Sequence, residues 1–306
     1  HVGVSRRPWA NLGRRLAVRM GWMIRSPIRA LDRFQSAARV RSFHDNLTAL
    51  FPGEADAFRG SLHHVEHHLA HAASAFLVSP FEEAAILSVD GFGDFASALM
   101  ARGTGHRLEP LRRVHFPHSL GLFYTAITQH LGFPHYGDEG KVMALAAFGK
   151  PTLLEPMREI LVSDSRDLFR LNLDCFCHHT QGVEMTWGDE SPTVGRVFSG
   201  KLEDILGPAR EPKSELTQRH YDIAASLQAR LEEVVLELCR ELHKQVPSEN
   251  LALAGGVALN SVANGRILKE SGFEKLYVQP AAGDSGGALG AALYVWHTLL
   301  GNPRTE

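Results

Sequence analysis

Three stretches of this sequence limit its fold sharply, because in each an apolar run leads straight into a cluster of glycines. Residues 84–101, AAILSVDGFGDFASALMA, read as a strand ending at Asp90, a turn over Gly91-Phe92-Gly93-Asp94 and a second, alternating strand. That is a hairpin pattern with strong turn chemistry. Residues 250–268, NLALAGGVALNSVANGRIL, read as a short strand over 251–253, the pair Gly255-Gly256 and a helix from Val257. Residues 275–299 read as a strand over 275–278, the turn PAAGDSGG and a small-residue helix over 288–299. Glycine lets a backbone turn tightly or approach a ligand closely, and the freed N–H groups at a helix start suit a phosphate. The first stretch also reads as an ordinary hairpin using Asp-Gly for its turn. Neither a P-loop nor a GxGxxG fingerprint is present. Asp90 at a strand end can hold a cation, and Asp284 reads as a metal ligand or as a helix N-cap.

Histidine is the second constraint. Ten of the 17 histidines fall between His63 and His135, five of them in the run SLHHVEHHLAHAASAFLVSP. From His67 to Phe76 the run is Ala-rich and free of breakers, so it predicts a helix. Residues four apart share a helix face, so His67 and His71 point the same way. Two imidazoles so placed can bind one divalent ion; the other reading is histidines that cap, stack or stay solvated. A protease zinc helix would carry Glu directly after its first His, and here His68 follows His67.

Composition narrows the class. The 306 residues are 44% hydrophobic and 22% charged, which excludes a disordered chain, a collagen-like fibre and a small disulfide scaffold. Three cysteines, Cys175, Cys177 and Cys239, point to a reducing cytoplasm. No run of about 18 apolar residues occurs, so no membrane-spanning helix is expected. A net charge of −2 gives no global attraction to nucleic acid. The charge is uneven, however: residues 1–43 carry ten Arg and one acid. They read as a strand over 2–5, a helix over 11–24, a break at Ser26-Pro27 and a helix over 28–50. Such an arm is an anion-binding element or a pair of solvated surface helices.

Between the glycine stretches lies PHSLGLFYTAITQHLGFPHYGDEGKVMALAAFGKP. Its Asp138, Glu139 and Lys141 crowd a Gly-bounded turn that reads as a ligand-binding loop. Cys175 and Cys177, beside His178-His179, are too closely spaced for a zinc site without distant partners and read as an edge strand.

In order and spacing, EHHLAHAASAF, LSVDGFGDFAS, PHSLGLFYTAITQHLGF, YGDEGKVMALAAFGKP, AGGVALNSVANGRIL and VQPAAGDSGGALGAAL resemble the O-carbamoyltransferase family of antibiotic biosynthesis and nodulation-factor decoration. The resemblance implies an α/β chain of the actin-like ATPase fold, two ribonuclease-H-like lobes with the first incomplete. Residues 1–82 would be the remnant of lobe I, with the arm and the HxxxH helix. Residues 83–306 would be lobe II, its last helix packing back on lobe I. His67, His71, Asp90 and Asp284 would hold a divalent metal, iron first and zinc or magnesium as alternatives. Gly91, Gly93, Glu139, Gly255, Gly256, Val257, Asn260 and Gly283 would bind an adenine nucleotide, with ATP or carbamoyl-adenylate as donor. Lys141 would steady developing charge, and Asp138 and Asp174 are the local candidates for a general base.

The implied reaction moves a carbamoyl group to a hydroxyl of a small metabolite or sugar. Members of the family begin upstream of the residue that is His1 here, with a Gly/His/Asp phosphate loop. They continue into a domain that makes carbamoyl-adenylate, so that partner would be needed in cis or in trans. Two alternatives remain: a threonylcarbamoyl-type transferase acting on tRNA adenosine, which the basic arm favours, and a nucleotide-binding regulatory subunit without turnover. No membrane partner is implied.

Overall fold

The computed structural model describes residues 1–25, 49, 60–164, 166–186 and 191–304, without side chains for 19–25. Strand β1 (Val2–Val4) pairs in parallel with β2 (Leu62–His64), and helix α1 (Leu12–Arg25) lies between them in sequence. The second arm helix expected over 28–50 falls outside the described residues, apart from residue 49. Helix α2 (His67–Phe76) has the predicted bounds. Its start is fixed by Glu66, whose carboxylate accepts hydrogen bonds from the His68 and Leu69 amides, two of the donors a helix leaves unpaired at its first turn.

Strands β3 (Glu83–Gly93), β4 (Ala96–Thr104) and β5 (Arg107–His115) form an antiparallel meander. Helices α3 (Leu120–His130), α4 (Glu139–Leu145) and α5 (Leu154–Ile160) follow. Next come the hairpin β6 (Leu161–Asp164) and β7 (Leu168–Leu171), helix α6 (His178–Gln181), and the small hairpin β8 (Met185–Thr186) and β9 (Thr193–Val194). Helices α7 (Gly200–Leu206) and α8 (Gln218–Gln245) lead to β10 (Asn250–Ala254), α9 (Ser261–Glu270), β11 (Lys275–Val278) and α10 (Asp284–Leu293). The chain is therefore α/β. Its main sheet runs β11-β10-β3-β4-β5, with β11, β10 and β3 parallel.

Alternation along β3 builds two cores. Ala85, Leu87 and Val89 point to a large apolar core shared with Phe123 and Ile127 of α3 and with Leu227, Leu231 and Val234 of α8. Ala84 and Ile86 point the other way, to a smaller core with Ala72, Ala73, Ala75 and Phe76 of α2. Side chains of a strand face opposite sides in turn, and a sheet covered on both faces buries both sets. Helix α10 crosses α2 closely, because a Cβ on Gly290 would stand 1.8 Å from the Ala70 carbonyl oxygen. Only a residue without a side chain fits there.

Four sequence expectations need correction. The hairpin does not turn on Gly91 and Gly93: β3 runs through Gly93, and the turn is Asp94-Phe95, both left-handed at φ 50° and 73°. Asp enters that region more readily than most residues, and here its side chain is anchored by the Arg7 and His67 amides and by Arg15, all distant in sequence. The helix expected from Val257 begins at Ser261, after a 3₁₀ turn over Gly256–Leu259. The Asn260 side chain accepts from the Ala263 amide and starts a new helix there. The last helix starts at Asp284 and passes into a π-helical turn over Tyr294–Leu299. Asp284 is its first residue, Gly283 is the cap, and so Asp284 is not an N-cap. Cys175 and Cys177 do not form an edge strand. Cys175 ends a 3₁₀ turn (Leu173–Cys175) set by the Asn172 side chain on the Asp174 amide, and Cys177 precedes α6. Cys175, Cys177 and Cys239 are free and buried.

Candidate metal centre

Helix α2 presents His67 and His71 one turn apart, both buried, with ring centroids 4.5 Å apart. Their Nε2 atoms lie 3.1 Å from each other. Asp90, on β3 beneath the helix, brings Oδ2 to 3.0 Å from His67 Nε2 and 3.2 Å from His71 Nε2. Asp284, at the start of α10, brings Oδ1 to 3.5 Å and 3.7 Å from the same two nitrogens. One ligand atom from each of the four residues thus falls within 4.8 Å of the others, the one such group of three or more among the described residues. Three of these side chains are largely enclosed, while that of Asp284 is 60% exposed and opens the cluster on one side.

The crowding has an electrostatic consequence. Burial opposes a charged His71, but the carboxylates of Asp284 and Asp90 beside it outweigh that and lift the ring to about 9. Burial likewise opposes a charged Asp90, yet the two imidazoles hold its carboxyl well below the usual range. The nearby His71 lowers Asp284 as well. Two nitrogen lone pairs and two carboxylates aimed at one small space need positive charge between them. Protons meet part of that need, and a divalent cation meets it more fully; the donor set of two imidazoles and two carboxylates suits iron or zinc.

The surroundings hold the ligands in place. Asp90 Oδ1 accepts a hydrogen bond from the Gly256 amide at 3.1 Å, leaving Oδ2 for the histidines. Gly93 packs against the His67 ring, where a Cβ would lie 1.9 Å from Cδ2. His68 is fully buried beside them with Nδ1 2.9 Å from Ser88 Oγ. Burial, aided by the nearby His67, drives that ring down to about 3, so it stays neutral. Gly255 takes φ 89° with its α-carbon against the Val89 backbone, which seats the Gly-Gly loop on β3.

Other residues singled out in the sequence do not join the four converging donors. Lys141 Nζ pairs with Asp138 Oδ1 at 2.6 Å, and Asp138 Oδ2 accepts from the His135 amide. Glu139 is held by Thr125 Oγ1 at 2.6 Å and by the Gly137 amide. The Asp174 backbone bonds Asn172 and Ser199, and its carboxylate does not join the four. The Asn260 amide exchanges hydrogen bonds with Gln228 of α8, which also bonds Tyr124 and Glu232. Val257 packs partly buried on the large core. The space at Gly91 and Gly283 is open on the Cβ side, but Gly121 of α3 leans on the Gly91 amide, 2.8 Å from where its Cβ would be. Sequence reading missed Gln228, Ser88 and the Gly256 contact. No local signal marks them, because each acts through a partner far away in the chain.

A sheet covered on both faces, with paired histidines and acids from three separate elements meeting over its central strand, defines an α/β protein built around a cation-ready cluster. The chain belongs to the carbamoyltransferase N-terminus family, whose model matches residues 40–293. The uncharacterized protein sll1178 of Synechocystis is 48% identical, over 78% of this chain and 37% of its own length. Nodulation protein NolNO of Sinorhizobium fredii is 38% identical, over 81% of this chain and 33% of its own. The 3'-hydroxymethylcephem-O-carbamoyltransferase of Streptomyces clavuligerus is 30% identical, over 57% of this chain and 28% of its own. The chain thus spans well under half the length of these relatives. Among solved structures, HypF of T. kodakarensis covers 84% of this chain and 39% of its own at 16% identity and a TM-score of 0.42, too distant to bear on the site. Among the described residues, no helix is long and apolar enough to cross a membrane.

Proposed function

We propose that this chain is the carbamoyl-transfer part of an O-carbamoyltransferase. In this reading His67, His71, Asp90 and Asp284 hold one divalent cation, iron before zinc or magnesium. The observation that carries the reading is the convergence of those four donors beside the Gly255-Gly256 loop. When bound, the cation withdraws charge from donor phosphate oxygens. The chain's own groups do the rest. Asp90 spans the loop amide and the imidazoles, and the exposed Asp284 lines the open side by which donor phosphate approaches.

The donor is carbamoyl-adenylate and the acceptor a hydroxyl. The acceptor oxygen bonds to the carbamoyl carbon, the bond from that carbon to the phosphate oxygen breaks, the hydroxyl proton leaves to a base, and AMP departs. The cephem relative is named for carbamoylation at the oxygen of a hydroxymethyl group, which supports a hydroxyl acceptor. The strand order β5-β4-β3-β10-β11, three antiparallel then two parallel, supports reading the sheet as one ribonuclease-H-like lobe of an actin-like ATPase fold. The β1–β2 pair then belongs to the first lobe, although α2 lies on the sheet of the second. A donor-making domain and cytoplasmic location complete the proposal.

The test is elemental analysis of purified protein together with a transfer assay supplied with carbamoyl-adenylate and hydroxyl acceptors. Wild type should carry about one metal and release AMP; His67→Ala/His71→Ala should carry none. Metal retained by the double variant would overturn the ligand set, and AMP-free incubations with metal-loaded wild type would overturn the transferase reading.

A further inference from the structure

Asp94 stands where three segments distant in sequence meet. Its Oδ2 accepts hydrogen bonds from the Arg7 amide at 2.7 Å and the His67 amide at 3.0 Å. Its Oδ1 accepts from Arg15 Nη2 at 3.1 Å, and Arg15 Nη1 donates to the Pro8 carbonyl at 2.8 Å. Asn11 donates to the Asp94 carbonyl oxygen. The Asp94 side chain is 4% exposed and that of Arg15 12%, so this ion pair is shielded from solvent. Glu66 already takes the His68 and Leu69 amides of the first turn of α2, and Asp94 takes the one before them. Gly93 meanwhile presses on the His67 ring. The hairpin tip therefore grips His67 twice, at its amide and at its imidazole.

We propose that Asp94 is a positioning residue for the metal centre, fixing the first ligand of the HxxxH helix, and that its pair with Arg15 makes the N-terminal helix part of that support. The proposal rests on reading the four-residue cluster as a cation site. Asp94 touches none of the four ligand atoms. It acts through the backbone of His67, so its loss lets the first turn of α2 shift while His71, one turn later, keeps its place. Removing either partner of an enclosed ion pair also leaves the other charge uncompensated, which loosens the same contact from the far side.

Cobalt(II) binding to the full chain, followed by titration calorimetry and by the d–d absorption bands, tests this. Asp94→Asn should weaken cobalt affinity about 10–100-fold, as removal of supporting contacts around metal ligands typically does, and should change the band pattern. Arg15→Gln should weaken it in the same direction. The double variant should be no weaker than Asp94→Asn alone, because both act through one contact. Wild-type affinity and bands in Asp94→Asn, or losses that simply add in the double variant, would sink the positioning role. Should Asp94→Asn fail to fold, Arg15→Gln decides alone: affinity equal to wild type overturns the proposal. Wild type that binds no cobalt overturns the cation reading itself, and the positioning role with it.

Discussion

The two faces of the main sheet are built from different material. Under α3 and α8 the sheet meets Leu, Ile, Phe and Met side chains that fill a continuous core. Under α2 and α10 it meets mostly Ala, Ser and Gly, with three histidines of α2 buried among them. The first face holds the fold together by apolar burial. The second gives up much of that burial so that backbones can come close enough for short side chains from α2, β3 and α10 to meet. The lesson is that stability and site geometry are housed on opposite sides of one sheet and should be separable by mutation.

The largest stability effect should come from the first face. Leu87→Ala removes a fully buried side chain and should cost ~2–5 kcal/mol. Chemical denaturation measures that cost, and metal affinity of the folded fraction should stay at the wild-type value. A parallel loss of affinity would break the separation. On the second face, Gly290→Ala should cost ~1–3 kcal/mol through overpacking, because its new Cβ meets the Ala70 backbone. Here affinity should fall too, since α10 carries Asp284; unchanged cobalt binding would show that the close crossing does not set the cluster.

A third, smaller effect concerns pH in metal-free protein. His71 titrates at about 9 when folded and near 6.5 when unfolded. Its contribution is therefore complete below about 6.5 and is lost as pH rises toward about 9. Thermal melts from pH 6 to 10 should fall across that window in wild type, and His71→Ala should flatten the fall. Metal uptake at neutral pH should also release a proton. The smallest effect is expected for Cys177→Ser, which should leave metal content unchanged; loss of metal would place that thiol in the site after all.

What could be read from sequence was local. The bounds of α2 follow from an Ala-rich run without breakers, and those of β11 from a short apolar run before Pro280. Pairing His67 with His71 needed only helix periodicity. Linking them to Asp90 and Asp284 came from family likeness, since no spacing rule joins residues so far apart. Errors arose where a strong local signal served a distant purpose. Gly93 looked like a turn residue, but it leaves room for an imidazole. Of the two local readings of Asp284, the cap is excluded, because it opens a helix as its first residue. The meeting of Asp94 with Arg15 is a product of tertiary folding alone.

Asp90 divides its carboxylate between two neighbours, one oxygen on the Gly256 amide and the other on the imidazole pair. Loop and cluster are thereby joined through a single side chain. A displacement of the loop should be felt at the histidines, and a shift of the histidines should be felt at the loop.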